Sequence, residues 1–356
     1  MGFALGVNLT PIIIKRIISL RELRDTSLAV DANNMLYQFL SLIRTPDGTP
    51  LTDSNGHVTS HLVGLMFRST RLMHEYGINL VFVFDGKPPE LKEQEIVKRR
   101  TVREKAKAEW VTAVKAGDYA TAWSKAVMMS RLTRPMIDDA KKLLKFLGIP
   151  YVQAPSEAEA QAAHMAKNGD VWAASSRDYD SLLFGAPQLL RYLTISGREY
   201  LPSKGTSRPL KPELIHLERL LSHHKLTREQ LIDVAILIGT DFNEGIKGIG
   251  PKGALRLLRS YGRIEELPCD VRSRVSERYE RVRKIFLEPN VTSDYDLTHG
   301  GLREEELRDF LCGERGFSRA RVETVIKRMK CYYLTRKQAG LEKWIDASRS
   351  SAIRRD

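Results

Sequence analysis

Cysteine is scarce and scattered in this chain. Cys269, Cys312 and Cys331 are all it has, too few and too far apart for a disulfide framework or a cysteine zinc site. The eight histidines show no metal-ligand spacing, and His223-His224 reads as a loop or helix-surface pair. Such usage fits a reducing, intracellular compartment. Long apolar runs are also missing. Ile12-Ile13-Ile14 is interrupted at once by Lys15 and Arg16, so neither a membrane span nor a secretory signal is expected. Met1-Gly2 opens like an acylation site, but Gly6 stands where Ser or Thr is required. Internal repeats and low-complexity stretches are absent.

What is present is a globular composition, 42% hydrophobic and 28% charged over 356 residues, enough for one large or two ordinary domains. Lys and Arg number 57 against 44 Asp and Glu, a net charge of +13. An excess of that size favours a polyanionic partner, and nucleic acid before an anionic membrane.

The pattern along the chain is that of an α/β protein. Ser27 to Val30 is a short apolar run that stops at Asp31, with a helical pattern after it (Met35, Leu36, Phe39, Leu40, Ile43). Apolar run, acid and helix in that order predict a buried parallel strand delivering a carboxylate at its carboxyl end, the edge where open α/β sheets bind ligands. His61 to Tyr76 reads as an amphipathic helix. Asn79 to Phe84 is a second buried strand, ending at Asp85. From Glu90 to about Arg134 charge is dense, strand signals vanish and helix formers dominate. Lys92 and Arg99 stand seven apart on one face of that helix, within reach of whatever the acids hold. Pro135 to Leu147 predicts a helix closed by Gly148. Val171 to Ala174 and Leu189 to Thr194 predict further strands, the latter with Arg198 to Leu201 as a hairpin partner. Leu226 to Ile238 is another helix. Gly245-Ile246-Lys247-Gly248-Ile249-Gly250-Pro251-Lys252 opens a helix whose free N–H groups suit a phosphate. Residues 270 to 330 read as charged and helical.

Acids recur at the predicted strand and helix ends: Asp31, Asp85, Glu157, Glu159, Asp178, Asp180 and Asp241. An all-oxygen set selects hard cations, Mg²⁺ or Mn²⁺ with Ca²⁺ as a bystander. Seven carboxylates exceed what one Mg²⁺ needs, and two ions about 4 Å apart suit in-line displacement at phosphorus. Each acid alone has a structural reading as a helix cap, and Ser156-x-x-Glu159 matches a capping box. Within a helix, Glu157 and Glu159 would point about 200° apart, so both serve one site only from the first turn. Glu159 is on this ground the weakest ligand candidate.

These stretches together resemble the flap endonucleases of the XPG-type 5′-nuclease superfamily. The resemblance rests on Val30-Asp31-Ala32, Tyr37-Gln38-Phe39-Leu40, Val83-Phe84-Asp85-Gly86-Lys87-Pro88-Pro89 with Lys92, and Gly148-Ile149-Pro150. Ala154-Pro155-Ser156-Glu157-Ala158-Glu159-Ala160, Asp178-Tyr179-Asp180, Gly239-Thr240-Asp241 and Gly248-Ile249-Gly250-Pro251-Lys252 complete it. The short tail is similar to the archaeal branch.

The resemblance implies a mostly parallel central sheet flanked by helices, of the 5′-nuclease or PIN-like kind, with a helical arch and a helix-two-turn-helix. It divides the chain into a nuclease core (1–98 and 135–262), an arch (99–134), a C-terminal helical region (263–330) and a flexible tail (331–356). It implies a Mg²⁺-dependent nuclease that cuts 5′ flaps near the junction, with 5′-3′ exonuclease action at nicks and gaps, in lagging-strand maturation and repair. Asp31, Asp85, Glu157 and Glu159 would serve one Mg²⁺ and Asp178, Asp180 and Asp241 the other, with Mn²⁺ able to substitute.

The same resemblance assigns Lys92 and Arg99 to the scissile phosphate, with Asp85 and Asp178 as catalytic acids, and Tyr37 to stacking on the nucleotide at the cut. Gly2, Arg44, Arg68, Glu157, Gly239, Asp241, Gly245, Lys247, Gly248, Gly250 and Lys252 would face DNA, the last five residues holding duplex phosphates through a K⁺ ion. Gln338, Leu341, Trp344 and Ile345 would dock a PCNA sliding clamp. The expectation is a monomer without a membrane partner, in the cytoplasm or nucleoid of an archaeal cell or the nucleus of a eukaryotic one.

Two departures stand out. The chain opens Met1-Gly2-Phe3-Ala4-Leu5-Gly6 where the family runs Met-Gly-Ile/Val-x-Gly-Leu, which puts the packing of the N-terminus near the site in question. Gly245 replaces a Ser of some relatives and with it a hydroxyl ligand for the monovalent ion, leaving a backbone carbonyl. The competing reading is a non-catalytic, clamp-tethered binder of branched DNA, which would need the arch and the Gly-rich turn but not seven acids.

Overall fold

The computed structural model describes residues 6–45, 48–193, 197–201 and 206–353, with the backbone alone for 197–201, 206–209 and 339–353. A seven-stranded sheet lies at its centre. In chain order the strands are β1 (Arg16–Ile17), β2 (Ser27–Asp31), β3 (Asn79–Phe84), β4 (Tyr151–Gln153), β5 (Ala173–Ser175), β6 (Gln188–Arg191) and, after a separate two-stranded sheet of β7 (Gly197–Leu201) and β8 (Thr206–Leu210), β9 (Glu213–His216). Their order across the sheet is β1-β9-β6-β5-β2-β3-β4. β4, β3, β2, β5 and β6 are mutually parallel; at one edge β9 runs antiparallel to β6, and β1 runs antiparallel to β9. The chain builds outward from β2 to β4, then returns to add β5 on the other side of β2, which opens the crevice that such sheets use for ligands.

The central strands alternate between two cores. Leu28, Val30, Leu80, Phe82 and Phe84 pack on one face, Ala29, Val81 and Val83 on the other. The first face carries α1 (Ala32–Leu42), α2 (Ser60–Gly64), which passes through a π-turn at Leu65–Ser69 into α3 (Thr70–Tyr76), and a later helix, Arg134–Leu147. Between them α4 (Glu93–Lys115) and α5 (Tyr119–Met128) form the charged hairpin, and the later helix is α6. Only Ala106 and Ala113 of α4 are buried, so this helix has no apolar stripe to dock and stands away from the core. Glu95–Arg99 and Arg100–Glu104 pairs lace its surface.

The second face carries α7 (Ala158–Lys167), α8 (Asp180–Leu183), α9 (Leu217–His224), α10 (Arg228–Ile238), α11 (Pro251–Tyr261), α12 (Cys269–Arg272) and α13 (Tyr279–Leu287). After α14 (Glu304–Arg308), α15 (Arg319–Ile353) returns to the first face. Among the described residues no helix is long and apolar enough to cross a membrane.

Three expectations need correction. Arg198 to Leu201 pairs with β8 and not with the 189–194 strand, because β6 is already flanked by β5 and by β9, which sequence patterning missed. The 270–330 region is not continuously helical: no helix lies between Leu287 and Glu304, where Pro289 and Gly300-Gly301 interrupt the pattern. The expected boundaries at 98/99 and 330/331 fall inside α4 and α15. α15 is docked at that point, since Tyr332 is buried and the Tyr333 hydroxyl donates to Leu147 O at 2.8 Å.

Candidate active site

Four adjacent parallel strands deliver six of the acids at one edge, and Asp241 joins them from the turn after α10. Asp31 ends β2 and caps α1, accepting from Asn34 N at 2.9 Å. Asp85 follows β3. At Gly86 the backbone presses against the β4–α7 loop so closely that a Cβ would lie 2.2 Å from Ala154 O; Gly86 N donates to Ser156 O at 2.6 Å. That contact lets Asp85 cap α7 from another strand, its Oδ1 accepting from Ala158 N at 2.8 Å. The capping box expected at Ser156 is therefore not formed. The N-cap residue is Glu157, without a side-chain cap bond, and Glu159 turns to the acids instead. Glu157 has extended backbone (φ −77°, ψ 130°), which frees the pair from the helical 200° divergence.

Asp31, Glu159, Asp178 and Asp180 form an inner group. Burial and its acidic neighbours hold Glu159 and Asp178 well above the usual carboxylate range. Burial first and Asp85 second push Asp31 up to about 8; burial and Asp241 push Asp180 up to about 7. Their direct partners are neutral. Asn34 Nδ2 donates to Asp178 Oδ2 at 2.7 Å, Val7 N to Asp180 Oδ1 at 3.1 Å, and Ser181 Oγ to Glu159 Oε1 at 3.4 Å. Asn34 is itself held by Gln38. The N-terminal segment thus packs on the site from Gly6 onward, while Gly2 lies outside the described residues.

Asp85, Glu157 and Asp241 form an outer group that meets the charged hairpin. Lys92 bonds Glu157 and lies 3.4 Å from Asp241. Arg99 donates to both oxygens of Asp241 at 2.9 Å and to Glu95 at 3.0 Å. Burial alone would lower the Lys92 pKa, but Glu157, Asp241 and Asp85 outweigh it and hold it above its ordinary value. Burial pushes Glu157 upward even with Lys92 beside it. Both cations therefore reach the acids, as their spacing predicts. Glu159 lies with Asp178 and Asp180 and not with Asp85 and Glu157, unlike the two shells that the resemblance implies.

The other candidates surround this centre. Tyr37 is half-buried on α1. Arg44 donates to Gly48 O at 2.6 Å and to Ser130 Oγ, bracing the base of the hairpin. Arg68 stands 5.4 Å from the centre of the Phe39 ring. Gly239 ends α10, and Gly250 precedes α11 with Pro251 at its first position. Lys247, Gly248, Gly250 and Lys252 are exposed. At Gly245 a Cβ would meet Ile238 C at 2.2 Å, so the serine of some relatives has no room here. Gln338 is exposed on α15, and the side chains of Leu341, Trp344 and Ile345 lie outside the described residues. Sequence reasoning missed Asn34, Val7 and Arg191, whose contacts with Asp178, Asp180 and Tyr179 join residues far apart in sequence.

Among the described residues no three His, Cys, Asp or Glu converge closely enough to chelate an ion as they stand. Unscreened like charges keep apart, and Lys92 and Arg99 engage Glu157 and Asp241. The donor set still fits a hard divalent cation: it is all oxygen and crowded, with Asp31 and Asp180 buried, Glu157, Glu159, Asp178 and Asp241 half-buried and Asp85 exposed.

An XPG N-terminal domain matches residues 5–106 and an XPG I-region residues 148–241, the first stretch containing Asp31 and Asp85 and the second the other five acids. Flap endonuclease 1 of Staphylothermus marinus is 47% identical, covering 96% of this chain and 99% of that one. The chain belongs to the flap endonuclease family. Flap endonuclease 1 of Pyrococcus furiosus is 48% identical at 96% and 99% coverage. The solved flap endonuclease-1 from Methanococcus jannaschii superposes with a TM-score of 0.74 at 40% identity, over 93% of this chain and all of that one. The catalytic core of Rad2 in complex with DNA substrate, 23% identical with a TM-score of 0.66, shares the fold over 88% of this chain and 96% of its own.

Proposed function

We infer that this chain is a structure-specific nuclease of DNA replication and repair that removes 5′ flaps by hydrolysing a phosphodiester bond near the junction. The observation that carries this reading is the union of seven carboxylates at one sheet edge with two cations from the base of the charged hairpin. A non-cutting junction binder has no use for such an expense of buried like charge.

The seven acids would hold two Mg²⁺ ions, with Mn²⁺ an acceptable substitute. Bound ions would supply Lewis-acid stabilisation of the charge that builds on the phosphoryl oxygens. The chain's own residues do the rest. Lys92 and Arg99 exchange their carboxylate partners for the scissile phosphate and balance its developing charge. Tyr37 stacks on the nucleotide at the cut. Arg44 and Arg68 contact the strands beside it, Arg44 after leaving Gly48 and Ser130. Backbone N–H groups of the 245–252 turn, with Lys247 and Lys252, hold the duplex, and a K⁺ ion there would rest on carbonyl oxygens, since Gly245 leaves no space for a hydroxyl. Gln338, Leu341, Trp344 and Ile345 form the clamp-binding peptide of an intracellular monomer.

A labelled double-flap substrate incubated with Mg²⁺, Ca²⁺ or EDTA tests the reading. Cleavage is expected with Mg²⁺ alone, at a site next to the junction. Cutting in EDTA, or at positions unrelated to the junction, would sink it. Truncation before Gln338 is expected to abolish stimulation by the clamp and leave intrinsic cleavage intact.

A further inference from the structure

Behind the Asp178–Asp180 turn lies a buried side-chain assembly built on Tyr179 and Arg191. Tyr179, between the two aspartates, is 3% exposed. Its hydroxyl lies 3.1 Å from Thr10 Oγ1 and accepts from Arg191, whose guanidinium carbon sits 3.9 Å from the tyrosine ring centre. The same guanidinium donates through Nε to the carbonyl of Arg177 at 2.8 Å. One side chain thus grips the residue before Asp178 and the residue after it.

The grip is over-determined. Arg191, at the end of β6, faces Glu213 of β9 directly in register and bonds its Oε2 at 3.1 Å. Lys15 bonds the other oxygen. A further Arg191 nitrogen donates to Tyr192 OH at 3.0 Å, and Tyr192 has left-handed backbone (φ 60°), a strain that persists where its surroundings hold it in place. A buried ion pair of this kind adds little stability over apolar side chains of like volume. What a planar, five-donor guanidinium adds is geometry.

We propose that Arg191 is a positioning residue for metal binding: through Arg177 O and Tyr179 it sets how the Asp178 and Asp180 carboxylates are presented to a divalent cation. The proposal rests on the reading of these aspartates as ligands. Residues that orient ligands from behind typically change metal affinity about 10- to 100-fold when replaced.

The test is calorimetric titration of the DNA-free full chain with Ca²⁺, beside thermal melting, for the wild type and for Arg191→Met, Arg191→Lys, Tyr179→Phe, Lys15→Met and Asp178→Asn. Arg191→Met is expected to weaken Ca²⁺ binding roughly 10-fold or more, and to raise the Mg²⁺ needed for half-maximal cleavage in proportion. The rate at saturating Mg²⁺ should largely recover. Arg191→Lys keeps the charge but cannot hold both partners, and should resemble Arg191→Met. Tyr179→Phe, which keeps the ring, should fall between, so the proposal stays testable if Arg191→Met does not fold. Lys15→Met should lower the melting temperature without changing Ca²⁺ affinity. Wild-type affinity in folded Arg191→Met or Tyr179→Phe, or affinity that tracks melting temperature across all variants, overturns the proposal. Unchanged Ca²⁺ binding in Asp178→Asn would instead overturn the ligand reading itself.

Discussion

The inner and outer acids share one sheet edge but solve the problem of crowded negative charge in opposite ways. Asp31, Glu159, Asp178 and Asp180 are steered by neutral donors, Asn34, Val7 and Ser181 among them. Such donors orient a carboxylate without cancelling its charge, and these four have pKa values raised by burial first and then by neighbouring acids, Asp85 for Asp31 and Asp241 for Asp180 among them. Glu157 and Asp241 are balanced by Lys92 and Arg99 of the charged hairpin. The inner group, on which Lys92 and Arg177 act more weakly than burial does, favours a cation from outside the chain, while the outer group ties the site to the position of the charged hairpin. Charge balance in the second case comes from Lys92 and Arg99, the two residues proposed to meet the substrate phosphate.

Removing an inner ligand should do the most damage. Asp178→Asn is expected to keep flap binding and lose cleavage by on the order of a thousandfold, measured by single-turnover cleavage and by anisotropy on a labelled flap; substantial Mg²⁺-dependent turnover would break the distinction. Lys92→Ala should slow cleavage roughly 100-fold while flap affinity stays within about threefold. In the DNA-free protein it should tighten Ca²⁺ binding, because a competing cation has left the outer acids. Weaker Ca²⁺ binding would mean that Lys92 organises those acids and does not compete for them.

Gly245→Ser separates the groups by another route. Its Cβ must displace the Ile238–Gly239 backbone, at a cost of about 1–3 kcal/mol, and that backbone carries the loop to Asp241. Melting temperature should fall with little change in inner-site Ca²⁺ affinity. The smallest expected effect is the pH dependence of the metal-free protein. Burial and Asp85 push Asp31 up to about 8 in the fold, well above the ordinary carboxylate range of about 4, so its contribution is fully present below about pH 4 and is lost as pH rises through about 8. Melting temperature in EDTA should thus decline between those limits, and saturating Ca²⁺ should flatten the slope. A flat profile in EDTA would show that the inner acids are not crowded in solution.

Much of this was legible in local pattern. Apolar runs ending in acids at Asp31 and Asp85 signalled strands and their carboxyl ends, because a buried parallel strand must be apolar throughout and must emerge at a polar edge. The hairpin was legible in charge density, and Lys92 and Arg99 in their seven-residue spacing. Glu159 was not: its capping-box pattern is locally sound, but Asp85 from β3 takes the α7 cap. Nor was Arg191, whose neighbours in sequence say nothing of Arg177 O, Tyr179 or Glu213. The pairing of β7 with β8 was hidden for the same reason, since any strand pattern is silent about which partner wins.

The sequence by itself determined the kind of chemistry. Oxygen ligands without imidazole or thiolate admit hard cations only, and a surplus of Lys and Arg calls for a polyanion, whatever the fold. Only the tertiary structure decided which acids are held by neutral donors and which are paired with the charged hairpin. Desolvation and Coulomb energy depend on burial and distance, and in this chain both are set by contacts between residues tens to hundreds of positions apart, from Val7 on Asp180 to Arg99 on Asp241.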